Sequence, residues 1–145
     1  MAIRTGSAEW RGDLRNGDGD LTVGDGVFKG AYSFSSRFEE GDGTNPEELI
    51  AAAHAACFSM ALGNMMAEHG HPADSVRTLA RVHLRQTDAG PTIQRIDLEA
   101  EGRVPGIDQE HFAEHAEEAK KACPVSRALA GVEEINLTAR LEQTV

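Results

Sequence analysis

Residues 43–62 read GTNPEELIAAAHAACFSMAL, and the rest of the chain has to be arranged around what this stretch becomes. Thr44 or Asn45 can cap a helix, Pro46 suits its first turn, and Glu47 and Glu48 complement the positive end of the helix dipole. The spacing predicts a helix over 46–68 that stops near Gly70. Its middle is apolar on every side, and Ala51, Ala52, Ala53, Ala55 and Ala56 permit close approach of other backbones. A helix apolar all round is a buried one. In a chain of 145 residues something must cover all of its faces, and a second subunit is a natural cover. The apolar stretch 49–62, broken by His54 and Ser59, is too short and too rich in alanine to span a bilayer.

Upstream, the first 35 residues read as a β-meander. Short segments at 8–10, 21–23 and 27–34 are separated by Gly-Asp turns. The run Asn16-Gly17-Asp18-Gly19-Asp20 suggests a calcium loop, but that loop needs Gly at its sixth position and Glu at its twelfth, where Leu21 and Val27 stand. Turn chemistry accounts for it better.

Downstream come two long strands. Val76, Ala80, Val82 and Leu84 alternate with Arg77, Arg81, His83 and Arg85, and Ile96, Leu98 and Ala100 alternate with Arg95, Asp97, Glu99 and Glu101. Asp88-Ala89-Gly90-Pro91 is the turn between them. Pro105-Gly106 ends the second strand, Asp108 caps a polar helix to about Lys121, and Cys123-Pro124 opens a short helix ending near Gly131. Ile135, Leu137, Ala139 and Leu141 form the last alternating strand. No repeat or linker divides the chain, so the expectation is one α+β domain over 1–145. Its elements are an N-terminal β-meander, a long buried central helix, two long strands, short helices and a C-terminal strand.

Hydrophobic residues at 40% and charged residues at 26% fit a globular chain, and a net charge of −10 opposes binding to nucleic acid or to an anionic membrane surface. The N-terminus MAIRTGSAEW has no apolar signal core. Two cysteines cannot build a disulfide scaffold. The expectation is a soluble cytoplasmic protein whose thiols are normally reduced, so that their chemistry matters more than their crosslinking.

Cys57 lies in the middle of the central helix and could be a plain small core residue. Cys123 precedes Pro124, at the N-cap of the short helix, where backbone N–H groups favour a thiolate. If the fold brings the two together, one can attack an oxidant and the other can resolve the sulfenic acid as a disulfide. A buried thiol is inert without a cation beside it. Arg37, just before the helix, is the candidate, with Glu47 or Glu48 orienting its guanidinium by a bidentate contact. Ten residues of helix from Glu47 to Cys57 span roughly 15 Å. Such an arginine would therefore reach a Cys57 if two helices packed antiparallel in a dimer.

The stretch 43–62, with Val104-Pro105-Gly106-Ile107-Asp108 and Cys123-Pro124-Val125-Ser126, closely resembles the OsmC family across essentially the whole chain. The resemblance implies a thiol-dependent peroxidase, active on organic hydroperoxides in osmotic or oxidative stress. It implies an intertwined homodimer with active sites at the subunit interface. It further implies Cys57 as the peroxidatic cysteine, Cys123 as the resolving one, Arg37 as the activating arginine and Glu47 as its holder. Placing the arginine shortly before Asn45-Pro46-Glu47-Glu48 is the OsmC pattern, whereas the sister Ohr group places it nearer the N-terminus. No metal or organic cofactor is implied. An external dithiol of the lipoyl type would restore the thiols, and an apolar wall of Leu49, Phe58, Met60 and Met65 would favour organic peroxides unless those side chains are plain core.

Three competing signals remain. His111-Phe112-Ala113-Glu114-His115 matches H-x-x-E-H, a zinc-hydrolase pattern, with no third ligand placed nearby. His54, three residues before Cys57, could form a Cys-His pair for acyl transfer or be a satisfied core histidine. A non-catalytic homologue binding a small apolar ligand would need neither cysteine nor Arg37.

Overall fold

The computed structural model describes residues 1–142, and they divide after Leu49 into two compact units. In the first unit, β1 (Gly6–Arg11), β2 (Asp18–Val23) and β3 (Phe28–Tyr32) form the expected antiparallel meander. The acidic run of its first turn is held by a cation of the protein's own. Arg11 binds Glu9 at 2.8 Å, Asp18 at 2.9 Å and Asp20 at 2.7 Å. The third strand stops earlier than the 27–34 segment suggested. Ser33 caps a short helix, α1 (Phe34–Phe38), with the Ser36 N–H donating to the Ser33 hydroxyl and the Ser33 N–H to that of Ser36. After α1, Gly43 takes a φ of 114° that favours glycine, and the following Thr44 N–H donates to the Ala31 carbonyl at 2.9 Å.

The central helix α2 runs over Pro46–Glu68, as its caps predicted, and its Glu48 N–H donates to the Asn45 side chain at 2.9 Å. The second unit, from Ile50 on, holds the rest of α2 and a sheet of order β4 (Ser75–Thr87), β5 (Gly90–Arg103), β6 (Glu134–Leu141). The β4–β5 pair is antiparallel and the β5–β6 pair parallel, so α3 (Gln109–Ala122) and α4 (Pro124–Ala128) make the crossover that a parallel pair requires. One core joins Phe58, Leu62 and Met66 of α2, Ile96, Leu98 and Ala100 of β5, and Phe112, Ala116 and Ala119 of α3. Each large side chain so buried contributes about 1.5–3 kcal/mol. Gly102 makes room for this packing, since a Cβ there would lie 2.5 Å from the Phe112 ring.

α2 is not covered on every side. From Ile50 on, its buried residues His54, Phe58, Leu62 and Met66 recur every fourth position and form one stripe, while Ala52, Ala53, Ala56 and Met60 are exposed. The single chain supplies core for one face only, which corrects the expectation of burial all round. The 23-residue α2 contains an 18-residue window of mean hydropathy 1.4, so by length and composition it could cross a bilayer, which the 49–62 stretch alone understated. Here its buried stripe belongs to the protein core.

Candidate active site

Two constellations emerge, one in each unit. In the first, α1 is fastened to the start of α2. The Ser36 hydroxyl donates to the Thr44 carbonyl at 2.7 Å, and the Asn45 side-chain amide donates to the Ser36 carbonyl at 2.9 Å. This sets Arg37, in the last turn of α1, beside Glu47, in the first turn of α2. Arg37 Nε donates to Glu47 Oε1 at 2.8 Å and more weakly to Oε2 at 3.3 Å. The contact differs from the expected two-pronged fork, because one nitrogen serves both oxygens. Among the described residues neither Nη of Arg37 makes a hydrogen bond. Glu47 is buried, and Arg37 stays about one-third exposed on the rim of a cavity of about 220 Å³. Trp10, Leu14, Tyr32, Phe34 and Phe38 line that cavity. Sequence reasoning missed this aromatic cluster, whose members come from separate strands and from the unforeseen α1.

In the second unit the fold brings the two cysteines together. Cys57 on α2 and Cys123 at the N-cap of α4 are free thiols with their sulfurs 3.0 Å apart. Cys57 is half-buried and Cys123 fully buried. Burial first, then the neighbouring Cys123 sulfur, pushes the Cys57 thiol up, against smaller pulls from the Val125 N–H and the Arg127 charge. Burial also opposes ionisation of Cys123. There the Cys57 thiol, the backbone and side chain of Ser126 and the Val125 N–H together prevail and bring Cys123 below the ordinary thiol value. Within this unit Cys123 is therefore the easier of the two thiols to ionise. Two sulfurs in contact can form a disulfide once either is oxidised.

Next to the sulfurs lies a second polar pair. His54 Nε2 sits 2.7 Å from the Ser126 hydroxyl, with both residues buried. His54 is thus the core histidine of the two readings, its Nε2 partnered by a serine rather than by Cys57 and its Nδ1 without a hydrogen-bond partner among the described residues. In the sequence each stands three residues from a cysteine, His54 before Cys57 and Ser126 after Cys123, a spacing that does not by itself pair them.

Other sequence candidates do not come together. Phe58 is fully buried in the core and Met60 is 79% exposed, so they cannot share an apolar wall with Leu49 and Met65. His111 Nδ1 is bound to Asp108 at 2.7 Å, and the His115 ring lies against that of His69, tilted by 42° with 4.1 Å between centroids. Among the described residues no group of three or more His, Cys, Asp or Glu is arranged to hold a metal ion.

Comparison with known proteins bears on the whole arrangement. The family model described as OsmC-like protein matches residues 39–138. The chain is 48% identical over 127 residues to the peroxiredoxin OsmC of Escherichia coli, covering 87% of this chain and 89% of that one. It is 30% identical over 139 residues to the organic hydroperoxide resistance protein OhrB of Bacillus subtilis, covering 94% and 98%. Among solved structures, an organic hydroperoxide resistance protein OsmC from Legionella pneumophila superposes with a TM-score of 0.73 at 28% identity, covering 99% and 100%. With two thiols in contact and a family match spanning most of its length, the chain belongs to the OsmC-like family.

Proposed function

We propose that the protein is a thiol-dependent peroxidase that reduces organic hydroperoxides to alcohols in defence against peroxide stress. The observation that carries this reading is the 3.0 Å contact between the free thiols of Cys57 and Cys123. The names of the relatives, a peroxiredoxin and organic hydroperoxide resistance proteins, support it. Cys57 is assigned the peroxidatic role because it is the more accessible sulfur. Its thiolate attacks the distal oxygen of ROOH, the O–O bond breaks, and the alkoxide leaves as alcohol after taking up a proton. Cys123 then displaces hydroxide from the Cys57 sulfenic acid to form the disulfide, and an external dithiol of the lipoyl type restores both thiols.

Cys57 needs a cation, because its own surroundings push its thiol up. Arg37 is assigned to that task, held by Glu47 with its Nη groups uncommitted to any described residue. In this reading the molecule is a cytoplasmic homodimer, and Arg37 of one subunit serves Cys57 of its partner. The exposed apolar face of α2 supports a subunit interface. The aromatic cavity beside Arg37 supports organic rather than hydrogen peroxide as substrate. Residues 1–145 act as a single OsmC-like domain, a reading supported by a family match that runs from 39 to 138, on both sides of Leu49.

The test is consumption of cumene hydroperoxide and, separately, hydrogen peroxide with dihydrolipoamide as reductant. Wild type is expected to turn over the organic peroxide faster, and Cys57→Ser to lose at least about 10³-fold. Equal rates for wild type and Cys57→Ser would overturn the proposal in favour of a ligand-binding homologue.

A further inference from the structure

The end of α3 and the start of α4 flank Cys123, and beside them lies a cavity of about 270 Å³. Lys120, Lys121, Ser126, Arg127, Ala130 and Ile135 line it. Three of these six are cations and none is acidic, in a chain of net charge −10 that has only three lysines. Lys120 is partly committed, its Nζ donating to the Ile135 carbonyl at 3.1 Å and lying 3.4 Å from a Glu117 carboxylate oxygen. Lys121 and Arg127 are exposed and form no ion pair among the described residues. Ala130, Ile135 and the hydrocarbon stems of the lysines give the cavity an apolar lining beneath its charges. The cavity is fixed to the sulfurs through the backbone. The Arg127 N–H donates to the Cys123 carbonyl at 3.1 Å, and Ser126, on the cavity wall, stands about one helical turn, roughly 5 Å of rise, beyond Cys123. Cys123 in turn lies 3.0 Å from Cys57, so a ligand seated there is within a short chain's reach of both sulfurs.

We propose that this cavity seats the external reductant, a dithiol on a short apolar stem that ends in a negative charge, with Lys121 and Arg127 holding the charge and Ala130 and Ile135 the stem. This rests on the peroxidase reading above, which requires such a dithiol. Charge complementarity selects an anion. The net charge of the molecule repels it elsewhere, so a local cluster of cations both concentrates the reductant and fixes where it approaches. In the step the cavity serves, one reductant thiolate attacks the sulfur of Cys57, the more accessible of the two, as the Cys57–Cys123 bond breaks. Cys123 leaves as a thiolate and takes up a proton. The second reductant thiol then displaces Cys57 from the mixed disulfide, and Cys57 takes up the other proton. Two electrons and two protons pass to the protein sulfurs, and the reductant closes to its own disulfide. Lys121 and Arg127 touch the reductant at its charged end, away from the reacting sulfurs.

The full-length protein is oxidised with one equivalent of cumene hydroperoxide and then mixed with dihydrolipoate or, separately, with dihydrolipoamide, which carries the same dithiol on the same stem without the charge. Mass spectrometry of portions quenched with N-ethylmaleimide counts the cysteines set free. Dihydrolipoate is expected to reduce the disulfide about tenfold faster at low salt, with the ratio of the two rates falling as ionic strength rises. Lys121→Gln combined with Arg127→Gln is expected to bring that ratio to about one, and Lys121→Glu combined with Arg127→Glu to invert it. Both positions are exposed, so the fold tolerates these changes. Equal wild-type rates for the two dithiols, or a preference that survives in the double variants, would overturn the docking site while leaving the peroxidase intact. Failure of cumene hydroperoxide to yield the Cys57–Cys123 disulfide would overturn the peroxidase reading. Diamide then installs the bond, and the same ratio of rates still decides whether the cavity takes an anionic dithiol.

Discussion

Arg37 and Glu47 show how a single ion pair can be both buried and unfinished. Glu47 is almost fully buried and commits both its oxygens to one nitrogen, Arg37 Nε, which leaves the guanidinium fixed in direction with its outer edge unused by the described residues. Removing one partner of a pair so placed leaves the other charge without compensation. On the proposed assignment, Glu47→Gln lowers kcat/KM for cumene hydroperoxide about tenfold by loosening Arg37. Arg37→Lys lowers it about a hundredfold, since an ammonium offers no planar fork to hold glutamate and a second anion together. The same assay decides both, with hydrogen peroxide as the comparison. These two residues and the two cysteines stand out in the sequence because they sit in local motifs, and the fold brings each pair into contact. His54 and Ser126 could not be paired there. They stand 72 residues apart, and only the packing of α4 against α2 makes them neighbours.

At the scale of elements, the central helix and both long strands were legible because their signals are local. Asn45, Pro46 and the two glutamates mark where α2 starts, and alternating side chains mark β4 and β5. α1 was hidden because Phe34 continues the alternation of the preceding strand, while the signal that stops it is a serine pair closing a capping box. The direction of β6 was not legible either, since parallel pairing depends on the length and path of a crossover rather than on strand composition. One residue fastens all three strands of that sheet. Asp97 of β5 accepts from Arg95 on its own strand, from His83 on β4 and from Asn136 on β6. Arg95, with help from Asn136 and His83, holds its carboxyl well below the usual carboxylate range. A carboxyl whose value is depressed by folding lends stability above its unfolded value, and that stability is lost as pH falls through the folded one. Thermal melts followed from pH 7 downward should therefore show wild type losing stability below about pH 4. Asp97→Asn should lower Tm by about 3 °C at pH 7 and show a flatter acid limb.

For the molecule as a whole, the outstanding feature is the α2 face that the chain does not cover. Met60, at 79% exposed among Ala52, Ala53 and Ala56, offers a flat surface of small side chains around one long flexible one. If that face joins two copies, Met60→Glu weakens the dimer by about 30-fold, the cost of about 2 kcal/mol at a central contact. Sedimentation velocity across a dilution series would show the shift to monomer, and a wild type that sediments as a monomer throughout would remove the interface. The placing of the two sulfurs has a different consequence. They stand 66 residues apart along the chain, one on the central helix and the other inside the crossover to β6. A bond between them would close a loop on that scale and withdraw about 4 kcal/mol of conformational freedom from the unfolded chain. Each turnover would then alternate the protein between a tethered and an untethered polymer, so that resistance to unfolding rises just when oxidant is abundant and relaxes when reductant returns.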